Sequence, residues 1–128
     1  MAMSTRRAPE ASADPALVLT KALGRAFKIL GLNQRELARV LGVSESTTSR
    51  MLAGCTLLDP ESKEGELGLL LLRTFRSLHA LVGGDAATMK LWMRAENQHL
   101  GGVPAERIQQ VEGLVRLVDY LDAMRGKL

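Results

Sequence analysis

The chain has 128 residues, 46% of them hydrophobic but only 3% aromatic, with one cysteine and a net charge of +3. That is enough apolar material to bury a core in one domain or two small ones. A single cysteine excludes an internal disulfide, and the longest apolar run, residues 67–72, is broken by Gly68 and too short to cross a membrane.

The N-terminus lacks a signal-peptide apolar region, so no membrane partner and a cytoplasmic location are expected. The apolar residues are mostly Leu, Val, Ala and Met, which favours an all-α fold. Charge is unevenly spread. Residues 1–56 carry eight Lys or Arg against four Asp or Glu, and residues 57–128 carry nine against ten. A surface for phosphates belongs in the first half.

Residues 1–14 are rich in Ala, Ser, Arg and Pro without an apolar period and read as a flexible tail. Arg6 and Arg7 are either a solvated end or a source of attraction to nucleic acid. Asp14-Pro15 opens a helix, which runs with helical apolar spacing to Gly31. Asn33 caps a short helix from Gln34 to Leu41, stopped by Gly42, and Ser44 caps a third, to about Ala53, stopped by Gly54. Residues 57–66 turn polar and acidic, a linker or capped helix start. From about Ser62 to Val82 a broad leucine stripe predicts a central helix. Gly83-Gly84 ends it, and Asp85 caps the next, which carries Met89, Leu91, Trp92 and Met93. After a turn at residues 97–104, Pro104 opens a final helical stretch to about Arg125, which Glu112-Gly113 is expected to divide in two.

The segment Gln34–Ala53, QRELARVLGVSESTTSRMLA, has the pattern of a helix-turn-helix. Ala38 is small where the helices cross, and Gly42 supplies the positive φ of the turn. Leu37, Leu41, Val43 and Met51 fill the space between the helices. The segment resembles the phage-repressor type over about 20 residues. It departs at Thr48, where a branched apolar residue is usual; Thr has nearly that shape, but its hydroxyl needs a backbone partner. The side chains expected at DNA are Gln34, Ser44, Glu45, Ser46, Thr47, Ser49 and Arg50. Arg25, Lys28, Arg35 and Arg39 are candidate phosphate contacts. One such module covers little DNA, so a homodimer on an inverted repeat is expected.

In the second half Trp92, Asn97, Gly101, Gly102 and Pro104 form a spaced motif, read from the residues as structural: an apolar anchor, a braced turn and a helix start. No arrangement of side chains supports catalysis, neither His79 nor His99 has companions at metal-ligand spacing, and no cofactor is called for. The stretch WMRAENQHLGGVPAERIQQVEGLVRLVDYLDAMRGK resembles the toxin-binding domain of Xre/MbcA/ParS antitoxins. This resemblance divides the chain into a tail (1–14), a helix-turn-helix domain (15–56) and a toxin-binding and dimerisation domain (57–128).

The resemblance implies a type II toxin–antitoxin partner, a RES-domain toxin with a fold like ADP-ribosyltransferases that consumes NAD or transfers ADP-ribose. It also implies autorepression of the operon and a larger toxin–antitoxin hetero-oligomer. Neutralisation is expected through Met124, Arg125, Gly126, Lys127 and Leu128 entering the NAD site, a cationic segment meeting a site built for pyrophosphate. The alternatives are that Arg125 and Lys127 only complement the last helix's dipole, or that a helix face with Arg116, Asp119, Tyr120 and Ala123 covers the site. A different reading of the whole chain is a stand-alone helix-turn-helix regulator whose second half only dimerises. A third is an interaction protein that has lost DNA binding.

Overall fold

The computed structural model describes residues 14–126; the expected tail up to residue 13, with Arg6 and Arg7, and Lys127 and Leu128 lie outside them, while Asp14, the tail's last residue, is described. Among the described residues the chain forms seven helices and no strand. The all-α expectation holds.

Helix α1 is Pro15–Ile29, opened by the Asp14 carboxylate, which accepts the Ala16 N–H at 3.0 Å. Its inner face buries Leu19, Leu23, Ala26 and Phe27. Helix α2, Gln34–Leu41, begins in a reciprocal cap: Asn33 Oδ1 accepts the Glu36 N–H at 2.7 Å, and Glu36 Oε1 accepts the Asn33 N–H at 2.9 Å. Helix α3 is Glu45–Leu52. Helix α4, Lys63–Leu81, is the longest and lies at the centre, against α1 and α2 on one side. Helices α5, Ala86–Arg94, and α6, Pro104–Arg107, lead to α7, Val111–Gly126, which packs along α4.

The core is continuous from end to end. Leu23, Leu37 and Leu41 from the first helices, Leu71 and Leu78 from α4, and Leu114, Leu117 and Leu121 from α7 are all fully buried. The helix-turn-helix and the C-terminal helices are thereby held to one body through α4. Each buried leucine contributes on the order of 1.5–3 kcal/mol relative to exposure.

The last helical stretch divides earlier than expected. The break spans residues 108–110, and Glu112-Gly113 lies inside α7. Gly113 is buried because the chain passes close by: a Cβ there would stand 1.9 Å from the Arg107 carbonyl oxygen. Its lack of a side chain serves a close approach, not a helix break.

Candidate functional site

The turn between α2 and α3 is built as its residues dictate. Gly42 has φ of +73° and donates its N–H to the Ala38 carbonyl at 2.9 Å; Val43 donates to the same oxygen at 3.1 Å. Ala38 is 2% exposed, consistent with a tight crossing. Ser44 Oγ accepts the Thr47 N–H at 3.0 Å and so fixes the start of α3.

Thr48 is the anchor of α3. Its side chain is fully buried, and its hydroxyl donates to the Ser44 carbonyl one turn back at 3.0 Å. This is the backbone partner that the departure from the usual apolar residue required. Pinning α3 through Thr48 and Met51 leaves the opposite face to solvent. That face carries Ser44, Glu45, Ser46, Ser49 and Arg50, all exposed; Thr47 and Gln34 are half-buried at the starts of α3 and α2. Arg50 folds back to donate to the Thr47 hydroxyl at 3.2 Å.

The flanking cations separate into two groups. Lys21, Arg25 and Lys28 project from α1 along a groove that Leu52, Ala53 and Gly54 close from the end of α3. Arg35 is exposed. Arg39 is exposed and donates to Gln109 Oε1 at 3.4 Å in the α6–α7 junction.

In the second half, Asn97 organises the loop before α6. Its side-chain oxygen accepts from the N–H groups of His99 and Leu100, at 2.9 and 3.3 Å, and its backbone pairs with Gly102 on both sides, at 2.8 and 3.2 Å. Gly101 follows with φ of +72°. Pro104 is buried at the start of α6, and Trp92 is half-buried against the core. Asn97, Gly101 and Gly102 thus form one braced turn between Trp92 on α5 and Pro104 on α6.

That turn is docked on α7. The His99 ring stacks on Tyr120, with centroids 5.2 Å apart and planes 23° from parallel, and Arg116 donates to the His99 carbonyl at 3.1 Å. Arg116, Tyr120 and Met124 follow at four-residue intervals, so they share one side of α7. Arg116 is exposed and Tyr120 and Met124 are half-buried. Met124, Arg125 and Gly126 form the last helical turn, and Arg125 reaches Ser77 Oγ on α4 at 3.3 Å.

Sequence reading missed Arg94. From the end of α5 its guanidinium grips both Glu36 carboxylate oxygens, at 2.8 and 2.6 Å, and also donates to the Gly31 carbonyl at 2.7 Å. The Arg94 hydrogen bonds hold the Glu36 carboxyl below its ordinary value of 4.5; partial burial opposes this, and the Asn33 N–H adds to it. Glu36 in turn raises the Arg94 pKa further. The pair ties the end of α5 to the N-terminal cap of α2. A cationic last turn on α5 was visible, but nothing local named its partner 58 residues away.

Two family models match the chain. Residues 9–73 match an antitoxin Xre-like helix-turn-helix domain, and residues 77–127 match an antitoxin Xre/MbcA/ParS C-terminal toxin-binding domain. The chain belongs to the Xre/MbcA/ParS antitoxins. The antitoxin therefore combines a helix-turn-helix with a toxin-binding domain, and both modules bind rather than catalyse. No curated protein matches the antitoxin. No helix among its described residues is long and apolar enough to cross a membrane.

Proposed function

We propose that this antitoxin, in the cytoplasm, silences a RES-domain toxin by covering its NAD site, and that as a homodimer on an inverted repeat it represses its own operon. In this reading residues 15–56 serve DNA, and residues 57–128 serve the toxin and dimerisation.

The observation that carries the reading is that two prepared surfaces lie on different helices of one core. On α3, the buried Thr48 orients a face of hydroxyls, one carboxylate and one guanidinium. Ser46, Ser49 and Arg50 suit phosphate or base edges, and Glu45 suits a cytosine amino group. Lys21, Arg25 and Lys28 extend positive charge beside that helix.

On α7, Arg116 and Tyr120 stand side by side, steadied by His99. A guanidinium next to an aromatic ring is matched to a pocket that accommodates pyrophosphate and a flat base. We favour this helix face over insertion of a tail. Met124, Arg125 and Gly126 are helical, and Arg125 already has a partner in Ser77. Lys127 and Leu128 follow in the sequence and are included in the proposed contact.

The test is purification of the antitoxin together with the product of the adjacent reading frame. Co-elution and loss of that product's NAD consumption are the expected results. Elution alone, with consumption untouched, contradicts the proposal and favours a stand-alone regulator.

A further inference from the structure

We propose that a second copy of this chain docks on the outer face of α4, antiparallel to the first about a two-fold axis, with Leu69 of each copy seated in a groove of the other. This rests on the homodimer reading above and names its surface.

The inner sides of α4 are taken by α1, α2 and α7. Its outer side is a single row, Glu66, Leu69, Arg73 and Arg76, spaced by three and four residues and exposed throughout. Leu69 is 47% exposed at the middle of the protein's most central helix. Beside it lies an apolar groove between α1 and α4, lined by Ala22, Ile29, Leu72 and Phe75 and flanked by Arg25 and Arg76. One surface thus presents both a projecting leucine and a hollow to receive one.

The charges in the row are self-complementary in one direction only. Arg73 is occupied by Asp122 on α7. Arg76 forms no ion pair among the described residues, and Glu66 has only Lys63, 3.8 Å away with both side chains largely in water. A parallel pairing sets Glu66 against Glu66 and Arg76 against Arg76. An antiparallel pairing sets Glu66 of each copy against Arg76 of the other. A two-fold contact of this kind uses each pairing twice.

The register closes on itself. The midpoint between Glu66 and Arg76 is Leu71, and that between Leu69 and Phe75 is Leu72. These are one residue apart, about 1.5 Å of helical rise, so one axis serves both the ion pairs and the leucine-in-groove contacts. A uniformly anionic partner meets Glu66 unfavourably and a uniformly cationic one meets Arg76; the row's own reverse satisfies both.

Sedimentation equilibrium of the full chain tests this, with circular dichroism confirming that each variant is folded. We expect a wild-type dimer, a dissociation constant raised about tenfold or more by Glu66→Arg or by Arg76→Glu, and recovery to near the wild-type value in the double reversal. Leu69→Asp is expected to be a folded monomer. A wild-type dimer indifferent to all of these changes, or a double reversal no tighter than the single ones, overturns the proposed face while leaving a homodimer through another surface. A wild-type chain that stays monomeric, alone and on operator DNA, overturns the face and the homodimer reading together. If Leu69→Asp keeps the dimer but no longer holds the toxin, the face belongs to the toxin and this proposal is wrong.

Discussion

Arg94 clasps Glu36 through two hydrogen bonds, and the nitrogen that makes the shorter one, at 2.6 Å, also serves the Gly31 carbonyl at 2.7 Å. The Arg94 side chain is 42% exposed and that of Glu36 13%. One partly exposed cation therefore closes the end of α1 and the start of α2 at once, from a helix of the other half.

The clasp makes stability depend on acid in a defined direction. The Glu36 carboxyl has a lowered pKa in the folded chain, so its contribution is complete above its ordinary value of 4.5 and is lost as pH falls below that, through the folded value. Thermal melts between about pH 3 and 7 are expected to show this loss in the wild type and a smaller one in Arg94→Met. At neutral pH, Arg94→Met and Glu36→Gln each cost about 1–2 kcal/mol, and the double variant costs less than their sum. Additive losses contradict the clasp.

Thr48 separates shape from hydrogen bonding. The Ser44 carbonyl also accepts the Thr48 backbone N–H at 3.0 Å, so it keeps a partner when the hydroxyl is removed. Urea unfolding of Thr48→Val is therefore expected to differ from wild type by less than about 0.5 kcal/mol, whereas Thr48→Ala, which empties fully buried space, costs about 1–2 kcal/mol. A large loss in the valine variant assigns the hydroxyl a larger part than this.

Gly113→Ala forces a methyl group onto the Arg107 carbonyl, which is backbone and has little room to yield. A loss of about 2–4 kcal/mol is expected by urea unfolding, despite alanine's better helix propensity. A stabilised variant contradicts the close approach.

Asn97→Ala removes the acceptor for the His99 and Leu100 N–H groups, and with it the support of the His99–Tyr120 stack. A stability loss of about 1 kcal/mol is expected together with weaker toxin binding in a titration. Unchanged toxin affinity dissociates this loop from the proposed α7 surface.

These residues also mark what was legible beforehand. The helix-turn-helix was readable because its determinants are local: Asn33, Gly42, Ser44 and Thr48 each act within four residues, through caps, one left-handed turn and one back-bonded hydroxyl. The Asn97 turn was readable for the same reason. Gly113 misled because its cause is a carbonyl outside its own helix. Arg94 was invisible because its partners precede it by 58 and 63 residues. The Arg39 bond to Gln109 was not legible either, because the α6–α7 junction is brought beside Arg39 only by tertiary packing.

The central claim is that DNA and toxin are recognised by separate faces of one helical body. The most direct measurement compares two double variants, Arg50→Ala with Ser46→Ala and Arg116→Ala with Tyr120→Ala, for operator binding and for inhibition of the toxin's NAD consumption. The account predicts that the first loses operator binding and still inhibits, while the second binds the operator and no longer inhibits. Two folded variants that each lose both activities, or neither, would contradict it.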